Sequence, residues 1–146
     1  MRKLVIDRAA IKNNLTVIKD RAAGAAIYGV VTGDGQGVGA AALAQLLRDE
    51  GIGRFAVSEV SEAEALRQAG FVDEEILMLR ATTDREELER LVDLNVVCTV
   101  SSVDTGMALN ALAGNRSTVA EAHIQVDTGM GFGGFLVSEP EKLLLA

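Results

Sequence analysis

Tryptophan is absent from this chain, and its 146 residues include only one cysteine, one proline, one histidine and one tyrosine. Each scarcity removes a class of protein. One cysteine cannot form an internal disulfide, which excludes a small disulfide-stapled scaffold. Cys98 falls in the apolar run Val96-Val97-Cys98-Thr99-Val100, so it reads as a buried core thiol in a reducing compartment, and the cytoplasm is the expected location. With one histidine, one cysteine and no acids grouped at ligand spacing, no metal site is expected. No run approaches the roughly 18 apolar residues of a membrane span, and the opening Met1-Arg2-Lys3-Leu4-Val5-Ile6 has no apolar core of signal-peptide length. Positive charge is the minority sign: 14 Lys and Arg against 21 Asp and Glu give a formal charge of −7, without a basic cluster. Neither a nucleic-acid nor an anionic-membrane partner is expected from such a surface.

What is present is glycine, 15 residues of it, together with 49% hydrophobic residues, enough for one domain spanning 1–146 with a buried core. Short β-branched runs alternate with stretches of helical period, the pattern of parallel strands joined by crossover helices. Leu4-Val5-Ile6 reads as a short extended entry, and Asp7 caps a helix through Ala10, Ile11, Leu15 and Ile18. Strands follow at 26–31, 55–57, 76–79, 96–100 and 119–126, with helices at 40–50, 62–69, 85–94 and 103–113, and another helix starting after Pro140. Ser61 with Glu64 forms the capping box of the second of these helices, and Asp84 with Glu87 that of the third. The fold class is α/β, with about five parallel strands and crossover helices. Five strands do not close an eight-stranded barrel. The chain is therefore expected to be part of something longer, an oligomer that buries its open edge, or an open sheet.

The segment Val30-Val31-Thr32-Gly33-Asp34-Gly35-Gln36-Gly37-Val38-Gly39 lies between a strand and a helix, where backbone N–H groups and a helix N-terminus can cradle a phosphate. Its bland reading is a tight turn that needs positive φ. One functional reading is a nicotinamide-nucleotide-binding Rossmann unit using Gly33 to Gly39, because Thr-Gly-x-x-x-Gly-x-Gly resembles the cofactor loop of short-chain dehydrogenases and Glu59 ends the next strand. That family also needs a downstream Tyr-x-x-x-Lys pair. Here the one tyrosine, Tyr28, lies upstream, and no lysine occurs between Lys19 and Lys142.

A second set of signals runs along nearly the whole chain. In order come Ile6-Asp7-x-x-Ala10 with Asn13 or Asn14, Val-Val before the glycine-rich segment, Phe55-Ala56-Val57 with Glu62-Ala63-x-x-Leu66-Arg67-x-Ala69-Gly70, Ile76-Leu77-Met78-Leu79, and Val126-Asp127-Thr128-Gly129-Met130-Gly131. In these motifs the chain resembles the alanine racemases, Asp-Thr-Gly-Met-Gly being the most specific piece. The resemblance implies the first part of a (β/α)8 barrel of TIM type, which in that family carries pyridoxal phosphate at its mouth and is followed by a β-rich C-terminal domain that has no counterpart in 1–146.

The resemblance also says where the chemistry should be. The family's Schiff-base lysine directly follows Val-Val, and that position is Thr32, whose hydroxyl cannot form an imine. The family tyrosine on the cofactor phosphate is replaced by Gln36, the arginine after Met-Gly by Phe132, and the lysine two places before Asp-Thr-Gly by Gln125. Thr32, Gln36, Gln125 and Phe132 are thus candidate cofactor-binding positions, all substituted. No catalytic residue is expected, and Lys3, Lys12, Lys19 and Lys142 lie in terminal segments or helices. Pyridoxal phosphate is the cofactor the resemblance implies, but without covalent attachment. The expected function is a racemase-like barrel inactive as a racemase, with a small-molecule ligand and a homo-oligomer covering the open edge. The alternatives are a non-catalytic assembly module and the nucleotide-binding unit. His123, in an apolar strand, is expected to be structural, and Asp127 and Thr128 to form a turn or contact a ligand at the mouth.

Overall fold

The computed structural model describes residues 4–145. Residues 4–7 have no strand partner, so the expected extended entry at Leu4-Val5-Ile6 does not join a sheet. Helix α1, Arg8–Ala22, starts where expected because the Asp7 carboxylate accepts the N–H groups of Ala9 and Ala10 at 2.9 and 3.1 Å. Of the apolar positions on α1, only Leu15 is buried.

Strand β1, Gly29–Val30, is shorter than its apolar run because the chain turns at Val31 into α2, Thr32–Gln36. Helix α3, Ala40–Asp49, leads to β2, Arg54–Val57, and α4, Val60–Gln68. Next come β3, Glu75–Met78, α5, Arg85–Asp93, β4, Cys98–Val100, and α6, Val103–Arg116. The chain then forms β5, Ala122–Ile124, β6, Val126–Asp127, β7, Phe135–Leu136, and α7, Pro140–Leu143.

The cap of α4 differs from the Ser61/Glu64 reading. Buried Val60, Ala63 and Leu66 set the helical frame, which places the start two residues earlier. Glu62 therefore reaches back to the N–H groups of Ser58 and Glu59 at 2.9 and 3.2 Å, while Glu64 turns outward to pair with Arg90 of α5. The expected cap of α5 is present: Asp84 accepts the Glu87 N–H at 2.9 Å. Gly106 is buried within α6 without breaking it.

The strands run parallel in sequence order. β1 pairs with β2 and β2 with β3; β3 meets β4 through the Leu77–Val97 bridge, and β4 pairs with β5. β5 and β6 form one run interrupted at Gln125, whose N–H still donates to Val100 (2.9 Å) and whose carbonyl accepts from Phe135 (2.8 Å). With β5 and β6 counted as one, this gives the five barrel strands expected, plus the short β7 against β6. The fold is the α/β, partial (β/α)8 barrel. Successive strand residues face opposite sides: Phe55, Val57, Ile76 and Met78 enter the main core under the helices, whereas Ala56, Leu77 and Val97 form a small cluster with Tyr28 on the concave side. No helix among the described residues is long and apolar enough to cross a membrane.

Candidate functional site

In a barrel of this kind the C-terminal ends of the strands form the mouth, where ligands bind. Here a cavity of 390 Å³ opens there, lined by Ser58 after β2, Leu79, Arg80 and Ala81 after β3, Ser101 after β4, and Gln125 and Phe132 from the last strand run and its loop. Two of the four candidate positions therefore share one cavity, and the Gln125 Nε2 donates to the Phe132 carbonyl at 3.4 Å. The Phe132 ring is 79% exposed and leaves no cation where the family has its arginine. The loop before β7 is held close: at Gly134, with φ +108°, a Cβ would lie 2.7 Å from the Gln125 carbonyl oxygen.

The other two candidate positions sit one turn apart at the end of β1. Gly33, Asp34, Gly35 and Gln36 have φ of 62°, 51°, 62° and 59°, so α2 is a left-handed turn, and the Gln36 amide folds back onto the Thr32 carbonyl at 3.3 Å. Gly35 is needed twice over, for its φ and because a Cβ would approach the Ala40 nitrogen to 3.0 Å. The phosphate cradle expected here is not open. The N–H groups of Gly35, Gly37, Val38 and Gly39 donate to carbonyls of the same turn, Ala40 donates to the Asp34 carboxylate at 3.0 Å, and Asp34 donates to Glu62 at 3.3 Å. An internal carboxylate, that of Asp34, thus holds the N-terminus of α3. Among the described residues the strands follow in sequence order, without the switch point at which a Rossmann sheet binds a dinucleotide.

Asp127 faces its own turn. It accepts the N–H groups of Gly129 and Gly131 at 2.8 and 3.1 Å, and these bonds hold its carboxyl below the usual range. His123 is exposed rather than packed into the core. It lies on the concave face with its ring edge-on to Tyr28, centroids 6.3 Å apart. Its neighbours Ala122 and Ile124 on the opposite face are exposed too, so β5 as a whole is open to water, with β4 its one strand partner among the described residues.

Arg80 was missed from the sequence, although a cation directly after a barrel strand was a legible sign. Its guanidinium is locked by Glu87 at 2.8 and 3.1 Å, which raises the pKa of Arg80 and lowers that of Glu87. Lys12 pairs with Glu50, and Lys19 donates to the Glu50 carbonyl; Lys3 lies outside the described residues. Lys142 is closer to the mouth than its terminal position suggested. It lines a neighbouring pocket of 230 Å³ that shares Ser101 with the mouth cavity, and Glu139 at 2.7 Å raises its pKa and keeps it protonated. Among the described residues there is no metal-binding group of His, Cys, Asp and Glu. A hydroxyl at 32, an aromatic ring at 132 and a protonated, ion-paired Lys142 do not fit a covalently held pyridoxal phosphate.

Comparison with known proteins places these features. The alanine racemase N-terminal domain family matches residues 6–146. An alanine racemase of Clostridium tetani is 36% identical over 94% of the chain, which spans 34% of that protein. The alanine racemase of E. faecalis has a solved structure that superposes with a TM-score of 0.79 at 33% identity, covering 94% of this chain and 37% of the other. That of Bartonella henselae, which holds covalently bound pyridoxal phosphate, superposes at 0.84 with 26% identity, covering 95% and 38%. The chain thus spans about a third of the length of these relatives, and it belongs to the alanine racemase N-terminal domain family.

Proposed function

We propose that this chain is a racemase-type half-barrel that binds a small anionic or amino-acid-like ligand at its mouth and does not racemise amino acids by itself. The observation that carries this reading is Thr32 at the end of β1, in the position where the family resemblance puts the Schiff-base lysine. Pyridoxal phosphate supplies an electron sink for a carbanion once an amine holds it. A threonine hydroxyl cannot provide that amine, and Phe132 puts an exposed aromatic ring where the resemblance implies an arginine. The lone buried thiol fits a reducing compartment, and on that ground we place the protein in the cytoplasm.

The test is incubation of the purified chain with pyridoxal phosphate, borohydride reduction and peptide mass mapping. We expect no phosphopyridoxyl label and no interconversion of D- and L-alanine. A label on any lysine, Lys142 above all, or measurable racemisation would overturn the proposal.

A second reading, a self-associating assembly module, is favoured by the concave face. Val30 and Leu79 are 49% and 40% exposed there, and the outer edges of β1 and β7 have no strand partner among the described residues.

A further inference from the structure

We propose that Arg80 is the anion-binding group of the mouth cavity, and that the Glu59 carboxylate occupies its ligand position until a small carboxylate or phosphate displaces it. This rests on the reading of the mouth as a ligand site and assigns the group that recognises the ligand. Arg80 is the one charged residue among the described residues lining the 390 Å³ cavity, which Phe132, at the position of the family's arginine, also lines. Its guanidinium is preorganised. Glu87 of α5 grips it through both terminal nitrogens, and Nε donates to the Ser58 carbonyl at 3.3 Å.

The third carboxylate contact is of another kind. Glu59 reaches Nη2 at 3.3 Å with its side chain 58% exposed, whereas Glu87 is 29% exposed. An exposed pair of this sort contributes little, so Glu59, whose side chain also caps α4 in a reciprocal box with Glu62, is held only weakly against the cation. Nη1 keeps one N–H without a partner among the described residues, since its one contact there is with Glu87. Ser58 and Ser101 also line the cavity, and their hydroxyls have no hydrogen-bond partner among the described residues either. A small anion that displaces Glu59 takes the single Nη2 N–H that Glu59 held, one charge-assisted hydrogen bond, with Ser58 and Ser101 also lining the cavity. Because Glu59 already presents the matching chemistry, it acts as an internal competitor, and removing its charge strengthens binding.

The experiment is an NMR titration of the folded chain with acetate and, separately, with inorganic phosphate. It follows the Arg80 Nε–H and the Ser58 and Ser101 amides. Saturable shifts with either anion support the proposal, and the arm that responds identifies the anion class. R80Q is expected to abolish the shifts. E59Q is expected to tighten binding by about two- to fivefold, the range set by the worth of an exposed ion pair. E64Q, which removes a carboxylate from the α4–α5 pair with Arg90, is expected to change nothing. If R80Q fails to fold, E59Q still decides. Binding no tighter in E59Q, or shifts that persist in R80Q, would overturn the role of Arg80 alone. Silence of both serine amides toward both anions would overturn the mouth as a ligand site, and the proposal with it. A borohydride-fixed cofactor would overturn only the non-covalent reading, leaving the Arg80 titration to stand by itself.

Discussion

Cys98, on β4, is 3% exposed, and burial pushes its thiol up to about 11 from an ordinary 9.0. The sign of the consequence follows from linkage. An unfolded chain loses the thiol proton from about 9, while the native state keeps it to about 11, so the contribution to stability is complete below 9 and is lost as pH rises toward 11. Urea unfolding across that window is expected to show a falling midpoint in the wild type. The fall is expected to be smaller in Cys98→Val, which keeps the apolar volume and has no proton to lose; equal slopes in the two proteins would contradict a buried thiol. The same local logic separates Asp127 from Thr32. The Asp127 carboxylate accepts two backbone N–H groups of its own turn, whereas Thr32, on which the proposed loss of Schiff-base chemistry rests, presents a hydroxyl at the end of β1.

Helix starts, strands and turns each have a nameable cause in this chain, and the left-handed α2 is the most demanding. Each non-glycine residue in such a conformation costs about 1–2 kcal/mol, which Asp34 and Gln36 both incur. Asp34 is compensated by its bond to the Ala40 N–H, and Gln36 by its bond to the Thr32 carbonyl. The glycines of the turn differ in a way that can be measured. A Cβ at Gly33 meets nothing within 4 Å, while at Gly35 it presses on the start of α3 at 3.0 Å. Gly33→Ala is therefore expected to cost only the conformational penalty, about 1 kcal/mol, and Gly35→Ala about 1 kcal/mol more, in chemical denaturation. Equal losses would mean that α3 yields freely. Arg67 shows another element-level device: its guanidinium donates to the carbonyls of Phe71, Glu74, Leu94 and Asn95, tying α4 to the two loops that deliver β3 and β4. The Leu66-Arg67 pair of the family motif is thus one buried apolar anchor followed by one clamp.

Among the described residues, the helix-facing core is a single large cluster, while the buried cluster on the concave face is small: Ala56, Leu77 and Val97 under Tyr28. That asymmetry follows from parallel strands covered by helices on one side only. The proposed self-association rests on this half-exposed apolar face and on the β1 and β7 edges, which have no strand partner among the described residues. Sedimentation over a concentration series is expected to show a dimer or larger species, shifting toward monomer in Val30→Lys, which puts a charge on the β1 edge at a half-exposed position. A monomer at every concentration would remove the basis for the assembly reading.

The order of elements was legible in the sequence because period-two and helical patterns, Asp7, Asp84 and the glycine stops are local signals, and local signals need no tertiary partner. The family motifs likewise marked Thr32, Gln36, Gln125 and Phe132 as substituted positions. What residues brought together from distant elements would do was not legible. Only the folded chain shows that Glu62 rather than Glu64 reaches back over the start of α4, that the glycine-rich N–H groups are already spent on their own turn and on Asp34, that His123 faces water, and that Arg80 shares a cavity with Phe132 and Gln125. Spacing along the chain determines which groups exist and on which face they lie. Which of them remain free to bind depends on the hydrogen bonds that other segments have already claimed.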